Sequence, residues 1–220
     1  MSSLPVLIIP VLNRYDLLDN LLASINHPVD NIFIIDNGGS YKTDIPNVKV
    51  MNMPTNIGVA ASWNLGIKCY PHAPYWTFMA IDAGLRDDTL QKTTVHSNEN
   101  VMVISNYGFS YFSIGAGIIK DVGLFDENYV PAYYEDTDFE KRVRDMGYAS
   151  RILYPDVNIN LLDTTVTIKS NPKYAEAKKI TDLSNQHYFN KKFAGYNWTC
   201  YNWDLQRRID NDWDKYETTI

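Results

Sequence analysis

Leu4 to Leu12 reads LPVLIIPVL and is followed at once by NRYD. A short, unbroken, β-branched apolar run is what a parallel strand buried on both faces requires, since neither face meets water and alternation is lost. Asn13 then stands where a side chain could cap a helix running from Tyr15 to Ile25. The unit repeats along the chain. NIFIIDNGG (Asn31 to Gly39) is a strand ending at Asp36 and breaking on a glycine turn, and VKVMNM (Val48 to Met53) is a third strand. VAASWNLGIK (Val59 to Lys68) has the spacing of a helix opened by Asn56 and Gly58, and YWTFMAI (Tyr75 to Ile81) is a fourth strand, again ending in an acid, Asp82. Strands alternating with helices imply an α/β fold: a mostly parallel twisted sheet with helices on both faces, whose ligands bind beyond the carboxyl ends of the strands. Asn13, Asp36 and Asp82 all fall there.

The second half is less regular. VMVIS (Val101 to Ser105) and GAGII (Gly115 to Ile119) read as strands, Thr137 to Met146 as a helix, and Lys173 to Phe193 as a longer one. No repeat, low-complexity tract or linker interrupts the 220 residues, so one domain is expected. A net charge of −6 removes the basic face that a general nucleic-acid binder needs. Cys69 and Cys200 lie far apart with no CxxC or Cys/His cluster, so they are expected to be buried thiols and not a disulfide or zinc site. The first apolar run is too short to span a bilayer and lacks a basic leader, which makes a soluble, cytoplasmic protein the expectation.

Several residues could carry chemistry, each with a plainer alternative. Asp36 could accept hydrogen bonds from a base or ribose, or simply form an Asp-Asn-Gly-Gly turn. NIGVAASWNLG (Asn56 to Gly66) is either a helix N-terminus favouring phosphate or a helix of small residues packed on the sheet. Asp82 is either an oxygen ligand for a hard cation or a cap before GLRDD. YYEDTD (Tyr133 to Asp138) crowds three carboxylates into four positions. Thr137 with Glu140 fits a capping box, and acids favour the first helical turn. Yet a carboxylate walled by Tyr133, Tyr134 and Phe139 would be partly desolvated, which raises its proton affinity toward that of a general base.

Taken in order, PVLNR, IIDNGG, NIGVAASWNLG, FMAIDAG and GLFDENYVPAYYEDTDFEKRVRDMGY resemble the successive motifs of family 2 glycosyltransferases with the GT-A fold, especially the rhamnosyltransferase-like branch, chlorella-virus-encoded domains of about this size among them. The resemblance covers roughly Pro5 to Asn160 and, more loosely, NQHYFNKKFAG. It implies a nucleotide-sugar-binding half over about 1–105, an acceptor-binding half over about 106–220, and transfer with inversion from a UDP-linked donor to a glycan hydroxyl, with Mn²⁺ or Mg²⁺ as cofactor. By the same resemblance Pro10, Val11, Asn13, Asp36 and Asn64 belong to the donor site, Asp82 to the donor and the metal, and Asp136 is the catalytic base with Glu135 beside it orienting the acceptor or taking the role itself. Asp138 is expected from its spacing to face the helix interior or to cap it. Two positions depart from the pattern: Ala80 replaces the first acid of the family's DxD, and Asn160 stands where a histidine often follows. A nucleotide-sugar-binding module or inactive relative is therefore the alternative, and a nucleotidyltransferase, lacking a glycine-rich basic loop after the first strand, ranks third. Tyr196, Trp198, Tyr201 and Trp203 suit either a sugar-stacking groove or an ordinary core.

Overall fold

The computed structural model describes residues 2–161 and 172–194. The run that opens the chain is strand β1 (Leu4–Val11), followed by α1 (Tyr15–Ala23), β2 (Val29–Asp36), β3 (Val48–Asn52), α2 (Val59–Cys69) and β4 (Tyr75–Met79). Next come β5 (Ala83–Leu85), α3 (Thr89–His96), β6 (Met102–Ser105), β7 (Gly108–Gly115), α4 (Ala116–Val122) and α5 (Glu135–Asp145). A 3-10 turn (Ala149–Arg151) leads to β8 (Ile152–Leu153) and β9 (Ile159–Leu161), and α6 (Pro172–Phe193) ends the described chain.

Seven strands form one sheet in the order β3-β2-β1-β4-β7-β6-β8, and β5 pairs with β9 in a small second sheet. All neighbouring pairs in the large sheet are parallel except those of β7, which runs against both β4 and β6. Because successive side chains of a strand point to opposite faces, β1 feeds two cores. Val6 and Ile8 pack with α2, α4 and α5, while Leu7, Ile9 and Val11 pack with α1 and α3. An aromatic chain locks α5 to the first of these cores: Trp63 meets Phe112 and Phe125 with ring centres at 5.0 and 4.8 Å, and Phe125 stacks on Phe139 at 4.5 Å. Among the described residues no helix is long and apolar enough to cross a membrane.

Three local expectations are corrected, and one helix, α3, is added. GAGII is not a strand: Gly115 ends β7 and Ala116 opens α4, while the strand itself is the preceding GFSYFSIG. Its serines hide it, since Ser113 is fully buried and bonds Ser97 at 2.5 Å instead of meeting water. Helix α3 is likewise obscured by its threonines, but Thr93 and Thr94 return hydrogen bonds to the carbonyls of Thr89 and Leu90, and Leu90 is buried. Asn13 does not cap α1; the cap position is Arg14, left-handed at φ 60°, whose guanidinium pairs with Asp16 at 2.7 Å. Cys69, at the end of α2, is exposed and not buried. Cys200 and the aromatic residues Tyr196, Trp198, Tyr201 and Trp203 lie outside the described residues.

Candidate active site

The chain runs outward from β1 through β2 to β3 and then crosses to the other side of β1 to form β4. Such a reversal opens a crevice at the carboxyl ends of the two strands on either side of it. Pro10 and Val11 end β1 there, exposed Asn13 follows them, and Asp82 lies in the turn after β4. Val11 is in register with Asp36 at the end of β2.

Asp36 is fully buried, and its carboxylate gathers four donors: the Tyr15 hydroxyl and Gly38 N–H, both at 2.9 Å, and the N–H groups of Ser40 and Tyr41, both at 2.7 Å. Burial pushes its pKa up, but the Tyr41 N–H, the Tyr15 hydroxyl and the other donors outweigh it and hold the group below the usual carboxylate range. The stabilisation is therefore present above that range and is lost only as pH falls through the folded value. Asp36 thus shapes the loop that follows β2. Asn64 is similarly committed: its amide donates to Phe125 O at 2.9 Å and Glu127 Oε1 at 2.8 Å and accepts from Phe125 N–H, stapling α2 to the segment before α5. At α2 the packing reading of NIGVAASWNLG finds direct contacts. Val59 N–H donates to Pro131 O at 2.8 Å, and a Cβ on Gly66 would sit 2.6 Å from Ile8 Cδ1.

Gly84 of β5 faces Asn160 of β9, so the position that departs from the expected histidine lies across the ladder from the Asp82 turn. Arg86 holds Asn160 Oδ1 through Nε at 3.3 Å and Nη2 at 3.2 Å. The sequence reading passed over this arginine, treating GLRDD only as the sequel to a cap. Among the described residues no group of three or more His, Cys, Asp or Glu gathers to hold a metal. A divalent ion fits here only if it takes most of its oxygen ligands from a diphosphate and water, with Asp82 as its carboxylate.

The YYEDTD helix starts three residues earlier than its capping-box reading. Tyr134 occupies the cap position of α5, Thr137 lies within the first turn, and its N–H and hydroxyl both turn to Asp136 Oδ1 at 2.6 and 3.2 Å. Tyr133 and Tyr134 are both left-handed, at φ 77° and 75°, a conformation that bulky residues keep only when their surroundings enforce it. Asn185 of α6 does so, donating to Ala132 O at 2.8 Å and Tyr133 O at 2.9 Å. The bend turns Glu135 inward at the start of α5, beside a cleft of about 400 Å³ lined by Tyr133 to Thr137 and by Asp182, Leu183 and Gln186 of α6.

Glu135 is 5% exposed, and its Oε2 has no hydrogen-bond partner. Burial, reinforced by the neighbouring Asp136, pushes its pKa up to about 8. Asp136 is the more exposed of the two. Unfolded glutamate titrates near 4.5, so the folded state holds the extra proton and stability falls as pH rises from there to about 8. Glu135→Gln imitates the protonated acid. It is expected to stabilise the fold by roughly 3 kcal/mol at pH 7 and by almost nothing near pH 4. Thermal melts across that range check it: curves that coincide at every pH would mean the carboxyl is not held neutral.

Asp138 faces inward as expected. It is fully buried, bonded by Arg142 Nε at 2.7 Å, Tyr129 OH at 3.0 Å and Lys192 Nζ at 2.5 Å. Lys192 also reaches buried Asp126 at 2.8 Å, so α6 is pinned to both the acidic helix and the loop before it. Neither Lys192 nor Asn185 was singled out from the sequence, although both lie in NQHYFNKKFAG, where the family resemblance continues loosely.

No protein-family model and no curated protein matches the sequence. Solved structures do. The catalytic domain of Drosophila β1,4-galactosyltransferase 7, in complex with xylobiose, matches 70% of this chain at 15% identity with a TM-score of 0.50; the match spans 65% of the fly chain, just under two thirds. S. aureus TarS (1–349) matches 88% of this chain and 72% of its own at 16% identity and TM-score 0.51, and it has also been seen with UDP-GlcNAc. Mycobacterium tuberculosis glucosyl-3-phosphoglycerate synthase, in complex with Mn²⁺, UDP-glucose and phosphoglyceric acid, matches 74% of this chain and 72% of its own at 11% identity and TM-score 0.55. The chain has the GT-A fold. Within this GT-A fold Pro10, Val11, Asn13, Asp36 and Asp82 stand at the carboxyl ends of β1, β2 and β4, Asn64 lies on α2, and Glu135 and Asp136 stand at the cleft between α5 and α6.

Proposed function

We propose that the chain is an inverting glycosyltransferase that moves a hexose from a UDP-linked donor to a hydroxyl of a glycan, rhamnose being the sugar that the sequence resemblance favours. The observation that carries this reading is the pair of adjacent carboxyls at one cleft, one buried and without a partner for its Oε2, the other open to it. Asp136 takes the proton of the acceptor hydroxyl as its oxygen attacks the anomeric carbon, and the bond to the diphosphate breaks on the opposite side. Glu135, kept neutral by burial, donates a hydrogen bond that orients the acceptor. The donor lies in the crevice between β1 and β4, above the loop that Asp36 shapes, with Asn13 at its edge. A divalent ion, Mn²⁺ or Mg²⁺, would be held by Asp82 and would offset charge on the departing diphosphate. Arg86 supplies a second positive charge beside the same turn.

A nucleotide-sugar-binding module is the second reading. It is favoured by the lone Asp82 and by Asn160, whose side-chain oxygen is already engaged by Arg86. Incubating the protein with a panel of UDP- and dTDP-sugars separates the two. A transferase is expected to release nucleotide diphosphate, with Mn²⁺ stimulation that Asp82→Ala reduces by about tenfold or more. Nucleotide binding without release of diphosphate from any donor would leave the binding module as the better reading, and full activity in chelator would remove the metal.

A further inference from the structure

A second cleft, of about 570 Å³, opens on the outer side of α5, at the carboxyl end of β6. Its walls include Ser105, Asn106, Phe109, Glu140, Tyr154 and Asn158, an alternation of aromatic rings with amide, hydroxyl and carboxylate groups. Its volume falls in the ordinary range of ligand pockets. Tyr154 is the notable member. It is 60% exposed, yet its hydroxyl is fixed from two sides, donating to Glu140 Oε1 at 3.0 Å and accepting from Arg144 Nη2 at 2.9 Å. Arg144 in turn pairs with Glu140. An isolated exposed tyrosine would lose rotamer freedom on binding, whereas this one is already held in place.

Asp136, Glu140 and Arg144 succeed one another at four-residue spacing and therefore share one face of α5. Four residues of helix advance about 6 Å, close to the length of one pyranose unit. The open carboxylate at the first cleft and Glu140, which holds the tyrosine of the second, thus stand about one helical turn apart on the same face of α5.

We propose that this second cleft is a subsite for the saccharide units that precede the acceptor residue, so that the acceptor is a neutral oligosaccharide and not a monosaccharide. The apolar face of a pyranose stacks on Tyr154, and its hydroxyls bond Glu140 and Asn158. The proposal rests on the transferase reading of the first cleft, and the two fail differently.

The test is a glycan array of neutral linear oligosaccharides and their monosaccharides, probed with wild type, Tyr154→Ala and Tyr154→Phe. Wild type is expected to retain one or more chains of two or more units and no monosaccharide. Tyr154→Ala should weaken that binding about tenfold or more, while Tyr154→Phe, which keeps the ring, should stay within about threefold. The retained oligosaccharide is then offered with a UDP-sugar. Binding that depends on Tyr154 without any product would overturn the transferase reading and leave the subsite standing. No retained chain, equal retention by Tyr154→Ala, or product formed with the same kcat/KM by Tyr154→Ala and wild type would each overturn the subsite.

Discussion

Lys192→Met is expected to destabilise the protein by about 3–5 kcal/mol, since it removes the cation between two fully buried carboxylates and leaves the rest of the site in place. Asp126 would retain the Asn128 and Tyr188 hydrogen bonds and Asp138 its Arg142 and Tyr129 bonds, but neither would be neutralised by α6. In the wild type, burial pushes Asp126 up, but Lys192, with the Asn128 and Tyr188 hydrogen bonds, outweighs it and holds the group below the usual carboxylate range. That contribution exists above the unfolded pKa and is lost as pH falls through the folded one, so the difference between wild type and variant should shrink in acid. Calorimetry at pH 7 should show a melting temperature lower by about 10 °C, and Asp126→Asn added to Lys192→Met should recover part of it. A melting temperature within 2 °C of wild type at pH 7 would mean that the cluster is not what holds α6 in place.

Asp136→Asn is expected to lower turnover by about 10²-fold or more while leaving donor affinity and melting temperature close to wild type. The asparagine oxygen still accepts from Thr137, so the first turn of α5 keeps its local bonds. The same substitution carries an internal check. Asp136 is the second cause of the high Glu135 pKa, after burial, so removing its charge should bring the Glu135 titration down from about 8. Transfer assays and carboxyl titration by NMR on the one variant read both effects. A folded Asp136→Asn protein with near-normal turnover would show that the acidic motif is a helix start and not the catalytic centre. If turnover collapses in Glu135→Gln instead, the two carboxyls have exchanged roles.

LPVLIIPVL declares β1 by its own composition, because a β-branched run with no polar side is stable only where both faces are covered. IIDNGG and FMAIDAG place acids at strand ends by the same local logic, and the acid-rich start of α5 is legible because carboxylates favour a helix N-terminus. These features depend on spacing and on propensity over a few residues, and they carried the parallel half of the sheet and the α/β class, while the roles given to Asp36, Asp82, Glu135 and Asp136 came from the family resemblance. What the acids do was decided elsewhere. Asp36 reads either as an acceptor for a base or ribose or as the acid of a turn, and the fold engages it with Tyr15 and its own loop. EDTDFEKRV reads as an acid-rich helix start in which Asp138 turns inward or caps, but that Glu135 and Arg142 also face inward, with Phe139 and Val143, only the fold shows. GFSYFSIG looks too polar for a central strand until Ser97 is brought to Ser113. For Ser113 the deciding partner is distant in the chain, as Lys192 is for Asp138 and Asn185 for the Tyr133 bend, whereas Asp36 combines the remote Tyr15 with N–H groups of its own loop. A residue's period and backbone preference are set by its neighbours in sequence, but the solvation of a charge is set by which groups the fold carries to it, and that only the tertiary structure decides.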